Sequence, residues 1–196
     1  FTNYIPHRHN EGYGLHNAAL EKFAQDGVKL LISVDLGITN IKEVDYASTL
    51  GIECIITDHH LPRVEIVNGE SVQILPKALA VINAKRTGNE YPDNQLCGAA
   101  TAWKLVCALI QIGKEKKVEG FEKVGDGFTK WLLDVVGIAT IADMVPLQNE
   151  NRILAHYGLV VLRKTKRKGL QTLLLKAGMR ATDLTEEDIA FTIAPR

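Results

Sequence analysis

Thr57-Asp58-His59-His60 places a carboxylate and two imidazoles directly after the apolar run Ile52 to Ile56. Imidazole and carboxylate together make the mixed nitrogen and oxygen donor set that Mn²⁺ accepts, and the lack of thiolate neighbours argues against a structural zinc site. A second apolar run, Val28 to Val34 (VKLLISV), ends on Asp35 and continues as Leu36-Gly37-Ile38-Thr39-Asn40. Buried strands that end in polar groups deliver them to the carboxyl edge of a sheet, where open α/β folds build their sites. A third acid, Asp143, follows the almost wholly apolar stretch Trp131 to Ile141 (WLLDVVGIATI). A carboxylate emerging from a buried segment is costly unless it is paired or bound to a cation. Taken singly, Asp35 and Asp58 read equally well as turn acids, Asp143 as a cap for the turn that follows, and either histidine as a surface group. It is the joint pattern that favours a metal centre.

These residues need a scaffold, and the hydrophobic pattern supplies one. Tyr13 to Asp26 carries Leu15, Ala18, Ala19 and Phe23 at helical spacing with Gly27 beyond it, and the strand at Val28 follows. Asn40 to Leu50 repeats the arrangement, with Asn40 as N-cap and Gly51 as stop. The strand into Asp58 comes next, then a loop holding Pro62 and Asn68-Gly69, then a third apolar run, Ala78 to Ile82, closing on Asn83. This alternation predicts an α/β fold with a mostly parallel sheet flanked by helices. A helical portion follows, at 96–112, 131–143, 151–164 and 170–177, with a last short helix opened by the capping signature Thr185-x-x-Asp188. Lys114 to Gly127, charged and glycine-punctuated, is expected to be a flexible insertion.

Composition bounds the rest. In 196 residues, 46% hydrophobic and 23% charged with zero formal net charge, there is enough apolar content for a core and no signature of disorder. The neutral balance argues against a general polycation, although Arg163-Lys164-Thr165-Lys166-Arg167-Lys168 holds five positive charges in six residues. That run reads first as a solvated helix end and turn, and second as a phosphate-contacting patch. Cys54, Cys97 and Cys107 form an odd set without a C-x-x-C, expected to be buried thiols of a cytoplasmic protein. No apolar stretch reaches membrane-spanning length and no signal peptide opens the chain, so no membrane partner is expected. With Phe1 in place of a starting Met, and a last residue just past a helical pattern, the chain is expected to be an excerpt of a longer protein.

The ordered strings SVDLGITN, TDHH, LCGAATAWKL and GIATIADMVPL resemble the DHH phosphoesterase superfamily. YIPHRHNEGYGL, NRILAHYGLVVL and the terminal FTIAPR extend the likeness to its branch of 5′ to 3′ exonucleases specific for single strands. The resemblance implies hydrolysis of phosphodiester bonds in single-stranded DNA with two Mn²⁺ or Mg²⁺ ions, in DNA repair and recombination. It also implies a repair helicase and a single-strand-binding protein as partners. It implies that Asp35 bridges the ions, that His59 and Asp143 are further ligands, that His60 lies near the scissile phosphate, and that Asp58 orients the histidines. It assigns Arg8 to the 5′ end of the strand and Arg196 to the nucleic-acid backbone, roles that suit the planar guanidinium fork. Residues 1–165 then correspond to the phosphoesterase domain, and 166–196 to a helical segment leading toward a further domain. The family's first motif, Asp-x-Asp after a strand, occurs nowhere in the chain, so the isolated piece is expected to be inactive or nearly so. Two rival classes remain. One is a phosphodiesterase of short oligonucleotides or cyclic dinucleotides with the same metals, and the other is a non-catalytic scaffold that binds nucleic acid.

Overall fold

Strand and helix alternate through the first half of the chain as expected in the computed structural model, which describes residues 1–7 and 9–195. Two units are distinguished by their internal packing, Phe1–Asn94 and Gln95–Arg196. The proposed boundary between residues 165 and 166 falls within the second of these units.

In the first unit, α1 (Asn17–Gln25) leads to β1 (Leu30–Val34), and α2 (Ile41–Thr49) to β2 (Glu53–Thr57); β5 (Ala80–Ile82) closes the series. These strands form a three-stranded parallel sheet in the order β1-β2-β5. Leu20 of α1 and Val44 and Ala47 of α2 pack with Leu31, Cys54 and Ile56 on one face of the sheet. On β1 the alternate residues Leu30, Ile32 and Val34 stay about half exposed, so the helices of this unit cover one face. Asn40 does occupy the N-cap of α2, but its side chain makes no cap bond there. Its Oδ1 instead accepts the Leu15 amide at 3.2 Å, tying the segment before α1 to the loop after β1.

The segment between β2 and β5 departs from expectation. It is not a loop but an antiparallel hairpin, β3 (Arg63–Val67) and β4 (Glu70–Ile74). Asn68 and Gly69 form its two-residue turn with φ of 53° and 85°, the left-handed pair that matches the twist of a hairpin. β3 is exposed along its whole length.

The second unit is helical: α3 (Gly98–Glu115), α4 (Phe128–Trp131), α5 (Leu133–Ala142), α6 (Asn149–Leu162), α7 (Lys168–Lys176) and the short α8 (Glu186–Asp188), which runs on into a wider turn at Ile189–Ile193. Thr185 and Asp188 form the expected reciprocal cap. The stretch 114–127 is pinned and not a free insertion. Lys114 Nζ pairs with Asp126 at 2.7 Å, the Val118 amide donates to Gly113 O at 2.8 Å, and the Phe121 ring lies against Gly113. Of the basic run, Arg163 donates to Leu184 O, and Arg167 Nε reaches both carboxylate oxygens of the buried Asp134 at 2.9 and 3.1 Å. Two of its cations are thus structural. Cys54 and Cys97 are buried and Cys107 is half-buried; none of the three is in a disulfide, and burial pushes the thiols of Cys54 and Cys107 up. No helix among the described residues is long and apolar enough to cross a membrane.

α5 and α6 meet backbone to backbone where Gly137 faces Gly158. A Cβ built on Gly158 would lie 2.5 Å from Gly137 Cα and 2.7 Å from Leu133 O, both of them backbone atoms that cannot swing aside. Gly158→Ala is therefore expected to destabilise the protein by about 2 kcal/mol or more, overriding the helix-propensity gain of about 1 kcal/mol. Denaturant melts check this, and an unchanged midpoint would remove the close crossing.

Candidate metal centre

Three strand ends build one sheet edge. In the parallel register Val34 pairs with Thr57 and Thr57 with Ile82, so Asp35, Asp58 and Asn83 each occupy the position just past the last paired residue. The ladder runs one rung further: the Asp35 amide donates to Thr57 O at 2.9 Å, and the Asp58 amide to Ile82 O at 3.1 Å.

Asp35 then leaves strand geometry with φ of 64°. A left-handed conformation costs a residue with a Cβ about 1 kcal/mol and is tolerated best by Asn and Asp. It turns the chain sharply and leaves the Asp35 side chain about half exposed at the edge. The turn that follows is tightly built. Ser33 Oγ donates to Leu36 O at 2.7 Å, and Gly37 has φ of 112° with Ser33 Oγ only 2.9 Å from where a Cβ would stand. Only glycine fits there.

Asp58 is 1% exposed. Its Oδ2 accepts the Ile38 amide at 2.9 Å, and its Oδ1 accepts the His59 amide at 2.7 Å, the His60 amide at 3.2 Å and His60 Nδ1 at 2.7 Å. A buried carboxylate needs this many donors to replace its lost hydration. All of those donors belong to the two loops, so Asp58 locks the turn after β1 to the turn after β2 and has no face left for a substrate.

The histidines stand side by side, ring centroids 4.5 Å apart. His59 is nearly buried and brings Nε2 to 3.2 Å from Asp35 Oδ1; His60 is about half exposed. Since the Asp58 carboxylate can only accept, His60 Nδ1 carries the proton between them, and Nε2 lies on the far side of the ring. Tyr13 adds a second hold. Its hydroxyl meets the Asp35 carbonyl oxygen and lies 3.1 Å from His60 Nδ1. Asp35, His59 and His60 each offer a ligand atom, all within 4.8 Å of one another. Two imidazoles and a carboxylate at this spacing can share a divalent cation, Mn²⁺ among those that accept a mixed nitrogen and oxygen set.

Of the residues singled out by sequence, the structure brings Asp35, Asp58, His59 and His60 together. Asp143 belongs to the second unit, as the C-cap of α5, with Met144 beyond it at φ of 56°. It is exposed, so the burial argument made for it from the apolar run does not hold. A carboxylate at a helix C-terminus still faces the negative end of the macrodipole, which disfavours it by a few tenths of a kcal/mol. Arg8 and Arg196 lie outside the described residues. Sequence reasoning gave no role to Tyr13 or to Asn83, whose Nδ2 donates to His60 O at 2.8 Å. The signal for Asn83 was present, as the third strand to end on a polar residue.

The family model "DHH family, N-terminal domain" matches residues 1–140. The chain is 38% identical over 98% of its length to the single-stranded-DNA-specific exonuclease RecJ of Bacillus subtilis, of which it covers 22%, and 35% identical to the RecJ of Salmonella typhimurium, of which it covers 32%. The chain thus spans between a fifth and a third of these curated relatives. A crystal structure of exonuclease RecJ bound to manganese superposes with a TM-score of 0.75 at 30% identity, covering 98% of this chain and 43% of that one.

Proposed function

Because the chain belongs to the DHH family, we propose that it is part of a metal-dependent exonuclease that degrades single-stranded DNA from the 5′ end. The observation that carries the reading is the convergence of Asp35, His59 and His60 at the carboxyl edge of the sheet. The names of the relatives, which specify single-stranded DNA, and the manganese of the solved homologue support it.

In this reading Asp35 supplies the anionic oxygen of the centre and His59 a nitrogen, while Asp143 is a further ligand on the strength of the family's motif order alone. Two divalent ions, when bound, supply Lewis acidity for the phosphate and lower the pKa of a water. The chain's own residues do the positioning. Asp58 fixes both turns and the His60 ring, and His60 turns its exposed edge toward the scissile phosphate. No covalent nucleophile is required. Arg8 is proposed to take the 5′ phosphate and Arg196 the backbone, which selects a flexible single strand over a stiff duplex. A cytoplasmic role in DNA repair and recombination, beside a helicase and a single-strand-binding protein, follows from that substrate and is part of the proposal.

End-labelled oligonucleotides given to the full-length protein with Mn²⁺ or Mg²⁺ test this. The expected result is release of 5′ mononucleotides from the 5′ end of single strands, with little attack on blunt duplex. Shortening from the 3′ end, or a preference for di- and trinucleotides, would move the assignment to a small-oligonucleotide phosphodiesterase. Binding without hydrolysis would leave a scaffold.

A further inference from the structure

Asn83 is 2% exposed, and both ends of its side-chain amide are hydrogen-bonded at the same sheet edge. Up to Asp58 the main chain of β2 is paired with β5, the last rung being the Asp58 amide on Ile82 O. Beyond it the Asp-His-His turn leaves the sheet, and Pro62 soon follows, so the main chain of His60 has no strand to pair with. The Asn83 side chain supplies the missing rung. Its Nδ2 donates to His60 O at 2.8 Å while its Oδ1 accepts the Lys85 amide at 2.7 Å. The two partners fix the orientation of the amide, because a flip would set oxygen against the His60 carbonyl and NH₂ against an N–H. His60 is therefore held at two places. Asp58 and Tyr13 hold its ring at Nδ1, and Asn83 holds its peptide.

We propose that Asn83 is a positioning residue that acts through His60, setting where the His60 ring stands relative to the reacting phosphate. This rests on the reading of His60 given above. Misplacement of a catalytic group by about 1 Å costs on the order of a hundredfold in rate, so a single hydrogen bond to the peptide that carries the ring has leverage on turnover. The bond touches neither DNA nor a metal ligand atom, and its effect belongs in kcat and not in substrate affinity.

The test uses the full-length protein with Asn83→Asp, His60→Ala and the double variant. Asn83→Asp keeps the shape and the acceptor for Lys85 but sets an oxygen against His60 O. Its kcat on single-stranded DNA is expected to fall roughly ten- to a hundredfold, with KM and metal-free DNA binding unchanged. In the His60→Ala background the same substitution should cost less than about twofold, since the group it positions is gone. Multiplicative losses, or a change confined to KM, would overturn the proposal. A His60→Ala enzyme with full turnover would instead overturn the assignment of His60, and this proposal with it. Should the aspartate fail to fold, Asn83→Ala, which removes the donor to His60 O together with the acceptor of the Lys85 amide and adds no charge, goes through the same cycle with the same outcomes.

Discussion

Replacement of Asp35 by Asn or Ala in the full-length protein is expected to abolish hydrolysis and to leave DNA binding largely intact. Asp35 is the acid that the fold presents most deliberately. Its amide completes the β1–β2 ladder, its φ of 64° turns the side chain out at the strand end, and its carboxylate lies 3.2 Å from His59 Nε2. If Asp35 is the anionic ligand proposed above, its loss would remove the ions and the transition-state stabilisation they supply, an expected loss on the order of a thousandfold or more in kcat. Contacts to remote phosphates would be spared. Asn is the better variant for separating chemistry from folding, because it accepts left-handed geometry as readily as Asp whereas Ala does not. Turnover and fluorescence anisotropy on the same labelled oligonucleotide check both halves. Near-normal turnover with Mn²⁺ would take Asp35 out of the centre.

Asp58→Asn has the second large effect, and it acts on stability as well as on rate. The wild-type carboxylate accepts from three amides and one imidazole while 1% exposed. An asparagine offers one oxygen to those donors and turns an NH₂ toward the rest. At least one buried donor loses its acceptor, and the expected cost is about 2–4 kcal/mol of folding free energy. Turnover falls further than the melt requires, because His60 Nδ1 loses the partner that orients its ring. Measuring kcat well below the melting temperature separates the two. A variant as stable as wild type would mean that the four bonds are not the clasp between the turns.

The sheet edge was legible in the sequence because each strand is a short apolar run that stops at a polar residue, and parallel neighbours with matching ends put Asp35 and Asp58 side by side. The hairpin at 63–74 was not. Its strands alternate apolar residues with Arg63, Glu65, Glu70 and Gln73 and are exposed over most of their length, so no buried face marks them; only Asn68-Gly69 announced it. Asp143 was placed correctly at a helix end, but an apolar run says nothing of the exposure of the residue just beyond it. Tyr13 and Asn83 act through contacts with a main-chain carbonyl, and no side-chain pattern encodes which carbonyl a distant residue will reach. The pinning of 114–127 escaped for the same reason, resting on one ion pair and a ring seated on Gly113.

The most direct test of the central claim is anomalous diffraction at the manganese edge from crystals of the full-length protein soaked in Mn²⁺. An anomalous peak is expected within about 2.5 Å of an Asp35 carboxylate oxygen and of an imidazole nitrogen of His59. Manganese bound only at other positions, with the Asp35 carboxylate and the His59 ring free of any peak, would contradict it.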